Sequence, residues 1–98
     1  MDEELPKLYE SMMREQDLDE LVEDIQEAAT LLDVLVKGGE QTRTDGKDTP
    51  VDEAIAMLRA GKVRGVQLRY QFEGEEWRDT LIRLPAGIRL VRVKTPFG

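Results

Sequence analysis

Ninety-eight residues with a formal charge of −7, 40% apolar and 36% charged, suffice for one domain with one modest core. The chain has no Cys and no His. Disulfides, thiolate metal sites, thiol catalysis and imidazole acid–base chemistry are therefore excluded, along with the commonest metal ligand.

The acidic start, Met1-Asp2-Glu3-Glu4, lacks the basic residues and apolar run of a secretory signal. No stretch approaches the ~20 apolar residues of a membrane span. A cytoplasmic protein without membrane association is expected.

From the N-terminus, Leu5, Leu8, Tyr9, Met12 and Met13 recur at three- and four-residue spacing behind Pro6 and predict a short first helix. Asp17 and Glu20 resemble a capping box and announce a second helix over about 18–37. Its stripe is Leu18, Leu21, Val22, Ile25, Ala28, Ala29, Leu32, Leu35 and Val36, and Gly38-Gly39 supplies the stop. Residues 38–50 form a polar connection in which Asp45-Gly46 is a turn pair. Thr49 reads as an N-cap and Pro50 as the first residue of a third helix over 51–61, with Val51, Ala54, Ile55 and Leu58 inward.

The remainder reads as three antiparallel strands, about 63–72, 76–84 and 88–95. A two-residue turn at Glu73-Gly74 pairs Phe72 with Glu75, and hence Tyr70 with Trp77, Leu68 with Asp79 and Val66 with Leu81. A three-residue loop at 85–87 pairs Leu84 with Ile88, which puts Val91 beside Leu81 and Val93 beside Asp79. Gly65 reads as a bulge, because Val63 is out of phase with Val66. The expected fold is a single α+β domain over 1–98: two to three N-terminal helices packed on one face of a C-terminal three-stranded antiparallel β-meander over 62–95.

This threading defines the candidate functional surface. Its outer face collects Arg69, Arg78, Arg92 and Lys94, with an apolar end of Ile82, Leu84, Ile88 and Leu90. Like charges side by side and exposed apolar groups both require a cover. The cover is a second copy of the chain, the first helix with Glu3, Glu4, Glu10 and Glu15, or an external partner. Charge favours such contacts, since residues 1–55 hold 17 acids and 5 bases while 56–98 hold 4 acids and 9 bases.

Asp79 falls on the apolar side, where a carboxylate must be paired or perturbed. Arg64, Arg83 and the Trp77 indole are its candidate partners. It is the one candidate for acid–base chemistry, but no second catalytic group accompanies it. Glu20, Glu23, Asp24 and Glu27 read as a solvated helix face rather than a carboxylate metal site. Gly46-Lys47 fails the phosphate-loop pattern at Gln41 and Asp48. Ser11, the single serine, has no histidine to activate it.

No metal and no cofactor are implied. The leading expectation is a non-enzymatic protein-interaction module that forms a homodimer or binds another protein. The alternatives are a small nucleic-acid-binding regulator using the basic row and, last, an enzyme centred on Asp79 with Tyr70 or Arg64. Nucleic acid is disfavoured because the aromatic side chains face away from the arginines and the net charge is negative.

Overall fold

The computed structural model describes residues 8–38 and 49–95. Their elements follow in the order β1 (Leu8–Met13), α1 (Asp17–Ala28), β2 (Thr30–Lys37), α2 (Val51–Arg59), β3 (Gly65–Phe72), β4 (Glu75–Leu84) and β5 (Gly87–Lys94). All strands pair antiparallel, in the order β1-β5-β4-β3-β2. The C-terminal meander is thus the centre of a five-stranded sheet, and strands from the N-terminal half extend it on both sides. The expected three-stranded sheet behind N-terminal helices is incorrect: among the described residues there are two helices, each following a strand.

The first correction is β1, read above as helix. Its spacing satisfies a helix, but Tyr9, Ser11 and Met13 also alternate with Glu10 and Met12, and a strand here completes the hydrogen bonding of β5. The second is the end of α1. Ala29 already has extended backbone (φ −132°, ψ 172°), and the following run leaves the helix. Leu31, Leu32, Val34, Leu35 and Val36 would make a helix apolar almost all round. As a strand the run pairs with β3, with the two valines at alternate positions. The bulge also moves: the ladder is regular through Gly65 and shifts instead between Leu31 and Asp33 of β2.

α2 ends close to expectation, but its cap is one residue later than the expected Thr49. Pro50, in extended conformation, is the residue that caps α2, and its carbonyl accepts from Ala54 N–H at 3.0 Å. Gly61, at φ +75°, follows its end. The turn pair Asp45-Gly46 lies outside the described residues.

Both helices pack on one side of the sheet. Leu18, Val22 and Ile25 of α1 and Val51, Ala54, Ile55 and Leu58 of α2 bury against Val34, Val66, Leu68, Leu81, Ile88 and Leu90. Directly paired residues share a face, so each ladder fixes which side chains belong to this core. Among the described residues, no helix is long and apolar enough to cross a membrane.

Candidate functional site

The β3–β4 hairpin has the expected register: Phe72 pairs with Glu75, Tyr70 with Trp77, Leu68 with Asp79 and Val66 with Leu81. The turn residues explain why. Glu73 (φ 54°) and Gly74 (φ 81°) both have positive φ, the type I′ geometry whose twist matches that of paired strands.

The β4–β5 hairpin departs by one residue. Leu84 pairs with Gly87, not Ile88, so the connection is Pro85-Ala86 alone. A slip of one residue exchanges the two faces of a strand. Ile88, Leu90, Arg92 and Lys94 therefore stand on the helix side, and Arg89, Val91 and Val93 face outward. The proposed surface does not exist as a unit. Arg69, Arg78, Ile82 and Leu84 lie on the outer face, while the structure removes Arg92, Lys94, Ile88 and Leu90 from it.

On the helix side the slip puts Arg92 directly across from Asp79. Asp79 is wholly buried. Arg92 Nε donates to its Oδ1 at 2.9 Å and Nη2 to its Oδ2 at 2.8 Å, and the Tyr70 hydroxyl donates to Oδ1 at 3.0 Å. Three donors occupy most of the acceptor capacity of one carboxylate. The hydrogen bond to Asp79 holds Arg92 in its charged form. Burial, and then the Asp79 charge, push the Tyr70 phenol well above its ordinary range.

The cluster thus presents an engaged carboxylate, a fixed guanidinium and a phenol that keeps its proton, the arrangement of a structural ion pair. The partners expected for Asp79 are elsewhere. Arg83 bonds Glu15 and the carbonyls of Leu58 and Arg59, Arg64 lies beside Gly38, and Trp77 Nε1 is buried with no hydrogen-bond partner among the described residues.

The outer face is differently composed from expectation. Arg69 and Arg78 are paired across β3 and β4, but Arg69 donates to Asp33 of β2 at 2.7 Å and to Glu76 of β4 at 3.1 Å. These two bonds, Asp33's first, raise the pKa of Arg69 further. Glu10 of β1 binds Arg89 at 2.8 Å. On this face Arg69 is therefore neutralised, by β2 and β4, whereas Arg78 has no carboxylate partner among the described residues. Glu15 faces Arg83 instead of the row, and Glu3 and Glu4 lie outside the described residues.

What remains open beside Arg78 is apolar. Ile82 of β4 and Val91 and Val93 of β5 are half-buried on neighbouring strands, and Met12 of β1 and Leu84 of β4 are exposed. Among the described residues both helices pack on the opposite side of the sheet. The sequence reading sets Val91 and Val93 on the core face, through the β5 register that is off by one residue, and Met12 in the stripe of a first helix, so neither reading places them on this face. Comparison of the chain with protein-family models, with curated proteins and with solved structures finds no match.

Proposed function

We propose that this protein is a non-enzymatic interaction module that self-associates, two copies meeting through the outer faces of their sheets. The observation that carries the reading is the apolar strip of Met12, Ile82, Val91 and Val93, bordered by ion pairs already closed within the chain and by Arg78 beside Val93. Such a strip complements itself, and the flanking pairs leave little net charge for two copies to oppose. The other side of the molecule is the reverse: Asp19, Glu20, Glu23, Asp24, Glu27, Asp52 and Glu53 are all exposed on the helices, so two helix layers repel each other.

The area suits the reading. Five strands at about 4.8 Å spacing and about 3.3 Å per residue offer about 500–600 Å² per copy. The resulting total of about 1,100 Å² is near the lower limit of specific interfaces, so the dimer is expected to be weak.

The alternatives lose their premises. The row of cations that would meet nucleic acid is dispersed over two faces, and the carboxylate that would do chemistry is held by three donors.

Sedimentation equilibrium over about 1 µM to 1 mM tests the proposal, a range that brackets weak homodimers. A monomer–dimer equilibrium is expected, with Val91→Glu shifting it to monomer at unchanged circular dichroism and Glu23→Arg leaving it intact. A monomer at every concentration, or a dimer indifferent to Val91→Glu, would overturn it.

A further inference from the structure

We propose that the end of the molecule where β2, β4 and the segment after α2 converge binds a phosphate group. Eleven lysines and arginines lie among the described residues. Seven of them (Arg14, Arg59, Arg69, Arg83, Arg89, Arg92 and Lys94) make ion pairs. Of the four with no carboxylate partner among those residues, Arg78 stands on the outer face, and Lys37, Lys62 and Arg64 belong to adjacent backbone segments at this end.

The backbone joins them, since Arg64 N–H donates to the Lys37 carbonyl at 3.0 Å. Five of the seven strand cations among the described residues are thus paired, and Lys37 and Arg78 are not; neither is Arg64, bonded to Lys37 at this end.

Arg64 borders a cavity. Arg64 and Arg83 line an open notch of ≈ 510 Å³ together with Gly38, Gly61, Val63 and Leu84. All three contacts of Arg83 are made by one nitrogen: Nη1 donates to Glu15 Oε2 at 3.0 Å and to the carbonyls of Leu58 (3.4 Å) and Arg59 (3.1 Å). Its side-on pair, Nε and Nη2, has no partner among the described residues. Those two donors form the fork that grips an oxyanion with two parallel hydrogen bonds.

Arg83 is therefore anchored at one nitrogen and open at the other two. Arg64 is restrained as well. Gly38 (φ +78°) approaches so closely that a Cβ there would stand 2.8 Å from Arg64 Cβ, so the arginine stem lies against bare main chain.

Two arginines line the notch, and the one carboxylate bonded to either of them among the described residues is that of Glu15, held by a single nitrogen of Arg83, so the site favours a compact group of high charge with several acceptor oxygens. A phosphate dianion meets that description better than a carboxylate. The openness of the notch leaves the rest of a phosphorylated small molecule outside it.

Amide resonances of the full chain, followed during titration with inorganic phosphate at constant ionic strength, test the proposal, with acetate as the carboxylate comparison. Phosphate is expected to shift Gly61, Lys62, Arg64 and Gly65 to saturation, and acetate to do so at least about tenfold more weakly, a difference of about 1.4 kcal/mol. Arg64→Ala is expected to weaken phosphate by a similar factor, and Arg64→Lys to restore part of the loss, with resonances of the sheet centre unmoved in both variants. Shifts that fail to saturate, that acetate reproduces equally, or that persist unchanged in Arg64→Ala would each overturn the assignment.

Discussion

Asp79 and Arg92 occupy directly paired positions of β4 and β5, and the guanidinium holds both carboxylate oxygens, at 2.9 and 2.8 Å. The carboxylate is fully buried, whereas the arginine side chain keeps 28% of its surface in water. Removing the arginine leaves a buried charge with only the Tyr70 hydroxyl. Arg92→Met should therefore destabilise the fold by about 3–5 kcal/mol, the usual cost of breaking such a pair from one side. Asp79→Leu combined with Arg92→Met should cost clearly less than the sum of the single substitutions, because no unpaired charge is then buried. Urea unfolding of the four proteins measures the coupling; simple additivity would show that the pair contributes nothing as a pair.

Tyr70 predicts a pH dependence at the alkaline end. Burial raises its phenol above the ordinary value of about 10, so the folded state holds this proton more tightly than the unfolded chain does. The associated stability is fully present below about pH 10 and is lost as the pH climbs from there towards the raised folded value, at about 1.4 kcal/mol per unit for this one group. Denaturant unfolding between about pH 9 and 11.5 should show that extra slope in the parent and lose it in Tyr70→Phe. Equal slopes in the two proteins would contradict the assignment.

Two glycines should respond differently to the same substitution. Gly74 (φ +81°) has nothing within 4 Å of an added Cβ, so Gly74→Ala bears only the conformational penalty, about 1 kcal/mol. Gly87 (φ +147°) would put its Cβ 2.7 Å from the Met13 carbonyl oxygen of β1, so Gly87→Ala must also displace an edge strand. Its cost should exceed about 2 kcal/mol, and protection of the β1 amides should fall in hydrogen exchange. Equal costs at the two positions would argue against the close approach of β1 to β5.

The β3–β4 turn can be improved. Glu73 adopts φ 54°, a conformation that asparagine tolerates far better. Glu73→Asn should raise stability by about 0.5–1 kcal/mol, read as a higher denaturation midpoint at constant m-value.

The sequence by itself determined the parts whose cause is local. The Glu73-Gly74 pair imposes positive φ and so set the register of β3 against β4; the body of α2 and the alternation of β3 follow from spacing in the same way, whereas the capping box expected at Asp17 and Glu20 does not form, since Gln16 precedes α1 without a side-chain cap and Asp17 accepts from Arg14 N–H. Tertiary structure decided the rest. Residues 8–13 and 30–37 carry apolar spacing compatible with either helix or strand, and the free edges of β5 and β3 selected strand by offering hydrogen-bond partners.

Gly87 looked like part of a turn, but its bare Cα accommodates a β1 carbonyl that local reading could not anticipate. One signal within reach was energetic: the rejected register sets Asp79 against Val93 and leaves a buried carboxylate unpaired, whereas the observed one gives it Arg92. Side-chain alternation in a strand has a period of two, so this one-residue choice settled which charges are spent inside the fold and which surface stays open.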